Sequence, residues 1–220
     1  MKLDLHMHSV YSKHKFWGLD SYSTPENIVK VALKKGLDGV AVTDHNEVKG
    51  SLVTQKVAKK INTDFVVIPS AEISTEKGHV LAFGIQENID GLSITWEEVV
   101  DKIRQQGGLA VVSHPFCEFF CGLVKKTKWV AADMKKFDGI EGFNAGNRTG
   151  NKMAQQLAKK FGKGMTAGSD AHTLSSIGYA GVECEDLLKD LKKGKTKIWG
   201  DYKPLKLYAE NIWIKARNMI

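Results

Sequence analysis

Residues 24–45 read TPENIVKVALKKGLDGVAVTDH, and the fold turns on this stretch. Thr24 suits a helix N-cap and Pro25 a first helical position. The cap oxygen takes up an orphan amide, and proline has no amide to leave unpaired. Ile28, Val29, Ala32 and Leu33 then fall on one side of a helix that Gly36 ends. Gly39-Val40-Ala41-Val42-Thr43 follows at once as a short buried strand. A helix feeding directly into an apolar strand is the unit of an α/β protein with a parallel sheet.

The same alternation extends in both directions. Residues 2–7 read as a first strand, 65–68 as a third, 79–83 as a fourth, 109–112 as a fifth, 139–143 as a sixth and 164–167 as a seventh. The fourth follows the third too closely for a helical crossover. Helices are expected from about Asp44 to Lys60, from the Thr95 cap through Ile103 to Gly107-Gly108, over 147–161 with Met153, Leu157, Ala158 and Phe161 on its apolar side, at 185–193, and at about 205–218. Residues 116–137 read as irregular or helical. Seven strands with helices between them suit a barrel related to the (β/α)₈ type. With no repeat or linker, residues 1–220 are expected to form one domain.

Composition narrows the class. Hydrophobic residues make up 42% and charged residues 26%, which argues against disordered, collagen-like or coiled-coil chains. No apolar run approaches the roughly 18 residues of a membrane span, so no membrane partner is expected. The opening Met-Lys-Leu-Asp-Leu-His lacks the apolar core of a secretory signal, so a cytoplasmic protein is expected. Cys117, Cys121 and Cys184 form a poor disulfide framework and read as reduced thiols. The net charge is +7, of which +6 lies in residues 187–220. That stretch reads either as a solvated basic face or as a surface for nucleic acid.

The histidines are unevenly placed. His6 and His8 follow the first strand, Asp44 and His45 the second, and Glu72 the third. His114 follows Leu-Ala-Val-Val-Ser, Asn144 follows Ile-Glu-Gly-Phe, and Asp170 and His172 follow Met-Thr-Ala-Gly-Ser. In barrels the active site lies at this end of the strands. His6 and His8 share one side of an extended segment because the strand period is two. Five histidines with one Glu and one Asp make an N/O-rich cluster suited to Zn, Mn or Fe, and too many ligands for a single ion. Glu72 is the group able to bridge two of them. The chain has no phosphate-binding P-loop, no dinucleotide-binding glycine motif and no nucleophile elbow.

Asp4-Leu5-His6-Met7-His8-Ser9, Thr43-Asp44-His45, Glu72 with Gly78-His79, Ser113-His114-Pro115 and Gly168-Ser169-Asp170-Ala171-His172 together resemble the PHP (polymerase and histidinol phosphatase) domain family. The motifs span residues 4–172 in the family's order, and Asn144 with Asn147-Arg148 also fits. The resemblance implies a distorted (β/α)₇ barrel. It also implies hydrolysis of phosphoesters by a hydroxide held between metal ions in a two- or three-metal site. By resemblance, one ion is held by His6, His8, Glu72 and Asp170. A second shares Glu72 and adds His79 and His114. A third uses His14, His45 and His172. His14 stands where many members carry an Asp soon after the Ser-x-x-Ser segment.

Arg148 is then expected to meet a phosphate oxygen, or else to be a surface arginine. Asp44 either orients a ligand histidine, protonates the leaving group, or caps a turn. Lys125, Lys126 and Lys128 read as a solvated run or a surface for a polyanionic substrate. The resemblance implies a phosphorylated small molecule or nucleotide as substrate. Two other classes compete. An amidohydrolase-like C–N hydrolase also uses His-x-His, but usually needs a lysine where this chain has Glu72. A degenerate module binding nucleic acid or protein would be expected to have lost ligands.

Overall fold

The computed structural model describes residues 1–14, 18–116 and 131–217, with His14, Ala131, Asn211 and residues 213–217 described by backbone alone. Cys117, Cys121, Lys125, Lys126 and Lys128 lie outside the described residues. So do the side chains of His14, Trp213 and Ile214, and the whole of Ile220.

The strands are β1 (Lys2–Asp4), β2 (Lys13–His14), β3 (Gly18–Leu19), β4 (Gly39–Ala41), β5 (Val66–Ile68), β6 (Ser70–Ser74), β7 (His79–Phe83), β8 (Leu109–Val112), β9 (Gly139–Asn144), β10 (Gly164–Gly168), β11 (Ala180–Glu183) and β12 (Lys197–Gly200). The helices are α1 (Pro25–Lys34), α2 (Lys49–Ile61), α3 (Trp96–Gln105), α4 (Asn151–Lys160), α5 (Leu187–Lys192) and α6 (Leu205–Arg217).

Local chemistry sets the helix ends. Thr24 caps α1 with Pro25 at its start, and Ile28, Val29 and Ala32 are buried. Thr95 and Glu98 form a reciprocal capping box on α3. The helix expected over 147–161 is shorter, Asn151–Lys160, and Met153 is exposed. Its buried side is carried by the smaller Ala154 and Ala158, which let it sit close to β9.

Ten of the twelve strands form a mixed α/β fold of two five-stranded sheets, ordered β12-β11-β1-β4-β5 and β10-β9-β8-β7-β6, and β2 and β3 pair as a separate two-stranded ribbon. The described ladders do not close into a barrel. β7 runs antiparallel to β6, as their short connection requires, and antiparallel to β8 as well. Two single bridges, Met7 to Ala171 and His45 to Glu72, join the sheets where ladders would otherwise run. At the first seam β1 and β10 come very close. A side chain on Gly168 would lie 2.3 Å from His6 Cβ. Asp4, fully buried, ties this seam by accepting the Ser169 and Gly178 amides at 2.9 and 2.8 Å.

The basic stretch from residue 187 is built into the fold. β12 pairs with β11, and Leu187, Leu191, Lys203 and Leu207 are buried. Among the described residues, no helix is long and apolar enough to cross a membrane.

Candidate metal centre

His6, His8, His45, His114, Asp170 and His172 leave the backbone just past strand ends, His79 opens β7, and Glu72, expected just past the third strand, lies in the middle of β6. His6 and His8 flank the seam residue Met7, Asp170 and His172 flank its partner Ala171, and His45 and Glu72 form the other bridge. The seams therefore carry the site, and the imidazoles and carboxylates gather between them.

Glu72 is the hub, and its two oxygens face different neighbours. Oε2 lies 3.4 Å from His6 Nε2, 3.6 Å from His8 Nε2 and 3.3 Å from His45 Nδ1. Oε1 lies 3.0 Å from His79 Nδ1 and 3.1 Å from His114 Nε2, and accepts the Ser113 hydroxyl at 2.8 Å. Burial opposes ionisation of Glu72, yet His79, His6 and His45 together hold its carboxyl well below the ordinary range. Asp170 Oδ1 completes the first group, 3.6 Å from His6 Nε2 and 3.4 Å from His8 Nε2.

The donor set fits metal ions on geometry alone. Among the described residues, His6 Nε2, His8 Nε2 and Asp20 Oδ1 are buried with no hydrogen-bond partner, an arrangement that costs free energy unless something else occupies these atoms. The spacings of 3.3–3.6 Å are long for hydrogen bonds. They approach the roughly 3.0–3.4 Å edge of a coordination polyhedron with bonds near 2.1 Å. Four groups of ligand atoms come together: His6-His8-Glu72, His6-His114-Asp170, His45-Glu72-His79 and His8-Asp20-His45-His172.

The members of the first two groupings expected from the sequence lie around Glu72, while His114 also comes together with His6 and Asp170, and His79 with His45. In the third, His45 and His172 come together around Asp20, with His45 Nε2 at 3.4 Å and His172 Nε2 at 3.5 Å from Asp20 Oδ2. Asp20 is absent from the sequence reading because it follows a long, irregular stretch with no periodicity. The only available signal was the expected Asp near the Ser-x-x-Ser segment, which arrives eight residues after Ser12.

Glu141 is the other residue missed. Its Oε1 lies 2.8 Å from His6 Nδ1, and its Oε2 accepts the His114 amide at 2.7 Å. Its signal was faint: a lone carboxylate inside an otherwise buried apolar strand. A proton shared on Nδ1 leaves Nε2 of His6 facing the centre. Ser12 Oγ, 3.1 Å from His8 Nδ1, does the same for His8. Asn144 donates to both Glu141 oxygens and to Asp170 Oδ2, each at 3.3 Å.

Asp44 is fully buried, and both of its oxygens accept from Ser9, one from the amide and one from the hydroxyl, each at 2.6 Å. Burial pushes its carboxyl up to about 7. This geometry suits the turn-holding role better than that of an acid reaching a leaving group. Arg148 is exposed, donates to the Lys203 carbonyl at 2.7 Å, and lies over the Tyr202 and Tyr208 rings. The least covered groups of the centre are His79 and Asp170, with 28% and 22% of their side chains exposed, and these mark its mouth.

A family model described as PHP-associated matches residues 148–196. An uncharacterized protein of Methanocaldococcus jannaschii is 40% identical over 172 residues, covering 73% of this chain and 95% of the relative. Among solved structures, a two-domain protein of Bacteroides vulgatus, described as containing a predicted PHP-like metal-dependent phosphoesterase, aligns with TM-score 0.72 at 20% identity. The match covers 97% of this chain and 69% of that one. An amidohydrolase from Chromobacterium violaceum, solved with bound sulfate and no metal, aligns with TM-score 0.62 at 15% identity, covering 91% and 98%. At such identities the solved structures speak to the fold. Together with the ordered motifs, the conclusion is that this chain belongs to the PHP domain family.

Proposed function

We propose that the protein is a metal-dependent hydrolase of phosphoesters, working on a phosphorylated small molecule or nucleotide at a centre of two or three Zn, Mn or Fe ions. The observation that carries this reading is Glu72, whose two oxygens face separate sets of imidazoles. In this reading the two sheets wrap the site as a distorted barrel, with the single bridges at its seams.

His6, His8, Glu72 and Asp170 would hold one ion, Glu72 with His79 and His114 a second, and Asp20 with His45 and His172 a third. Such ions supply a water of lowered pKa and neutralise phosphate oxygens. The chain's own residues do the rest. Glu141 and Ser12 fix the imidazoles of His6 and His8 so that Nε2 faces inward. Asn144 holds the Asp170 carboxylate, and Asp44 holds the Ser9 turn beside His8. Arg148, braced by two tyrosines, meets a non-bridging phosphate oxygen, a task suited to a planar guanidinium.

The test is a panel of phosphomonoesters, nucleotides and 5′-phosphorylated oligonucleotides, assayed with protein loaded with each metal and with the same protein after chelation. Turnover of at least one phosphoester, lost on chelation and restored by metal, is expected. Cleavage of amides with no phosphoester turnover would transfer the reading to C–N hydrolysis.

A further inference from the structure

A lysine is rarely buried without partners, and Lys203, only 3% exposed, is held by several. Its ammonium donates to the backbone carbonyl of Asp170 at 3.0 Å. The backbone of Lys203 is held on both sides, since its amide donates to the Ala145 carbonyl at 3.1 Å and its carbonyl accepts from Arg148 at 2.7 Å. Tyr208 donates to the Gly146 carbonyl at 3.1 Å, closing the same corner. Gly146 leaves the room required: a side chain there would lie 3.3 Å from the Lys203 ammonium and 3.1 Å from Asn144 Oδ1.

The carbonyl that Lys203 grips belongs to a strained turn. Asp170 has φ 52°, a left-handed conformation uncommon for a residue with a side chain. Such conformations persist only where the surroundings over-determine them. The Asp170 amide is fixed by the His6 carbonyl at 2.7 Å, and its carbonyl also lies 3.2 Å from His172 Nδ1. Lys203 thus holds the carbonyl that leads from Asp170 towards His172 and that His172 Nδ1 also faces. Its ammonium donates to the Asp170 carbonyl, and its charge also acts on the Asp170 carboxylate.

We propose that Lys203 is a positioning residue of the metal centre, locking the left-handed Asp170 turn so that Asp170 and His172 present their ligand atoms. The segment after β12, beyond residues 148–196 of the family-model match, then belongs to the site. This rests on the metal-centre reading above.

The experiment compares wild type with Lys203→Met, which keeps the apolar stem and removes the ammonium. The metal-free full-length proteins are titrated with Mn and Zn, and the visible spectra of the Co-loaded proteins are recorded. The expected result is weakening by about 10–100-fold at one of the sites, the range for losing a supporting group around a metal, with an altered Co spectrum and retained folding by circular dichroism. Equal affinities within about twofold and identical Co spectra would overturn the proposal. If Lys203→Met does not fold, Tyr208→Phe serves instead, since it removes a hydroxyl that closes the same corner. A fall of a few-fold in affinity supports the proposal, and no change overturns it. Failure of the wild type itself to bind metal would instead overturn the metal-centre reading.

Discussion

Asp20 shows how a single carboxylate decides what a cluster of histidines can hold. It is almost completely buried, and His45 and His172 approach the same oxygen from two sides. Burial opposes its ionisation, but its contacts with His172 and the charges of His45 and His8 keep its carboxyl far below the usual range. An ionised, buried oxygen shared by imidazoles is a metal-ligand environment. Asp20→Asn keeps the shape and removes the charge. It is expected to lose one metal equivalent per chain, measured by elemental mass spectrometry, and to lower phosphoester turnover at least tenfold. Full metal content and unchanged turnover would remove Asp20 from the centre.

At the scale of elements, the turns that carry the ligands are anchored from behind by buried carboxylates. Asp44 holds the turn after β1 through Ser9 while its own backbone pairs with Glu72. Burial raises its carboxyl from 3.8 to about 7. In the unfolded chain this group ionises near pH 4, whereas the folded protein keeps its proton to about pH 7. Its contribution to stability is therefore greatest below pH 4 and is lost as pH rises towards 7. Asp44→Asn mimics the protonated form. In denaturant titrations of the chelated proteins, the stability difference between the variant and wild type should shift in the variant's favour across pH 4–7. A constant difference across that window would contradict the raised carboxyl.

The same scale shows what was legible in the sequence. α1, α3, β7 and β8 could be read because caps, glycine stops and apolar runs agreed. β6 went unread because Ser70–Ser74 is a buried strand with polar residues facing the site and the seam. β11 and β12 were hidden because their burial comes from distant pairing, with Trp199 and Ile198 embedded in a basic stretch. The ligands at strand ends could be read as strand-end residues. Asp20 and Glu141 could not, because their places come from a long loop and from a contact between strands far apart in sequence.

Across the whole molecule, two single bridges link the sheets; His45 and Glu72 form one, and His6, His8, Asp170 and His172 flank the other. Ions bound there would join residues from both sheets and from the loop carrying Asp20. Bound metal should therefore stabilise the native state by mass action. The most direct measurement is the number of metal equivalents per chain. The purified protein is stripped with chelator, reloaded with Zn, Mn or Fe, freed of loose ions and analysed by elemental mass spectrometry. The account predicts two to three equivalents, falling by more than one in Glu72→Gln because its two oxygens serve different groups. Retention of less than one equivalent by the wild type, whichever metal is offered, would contradict it.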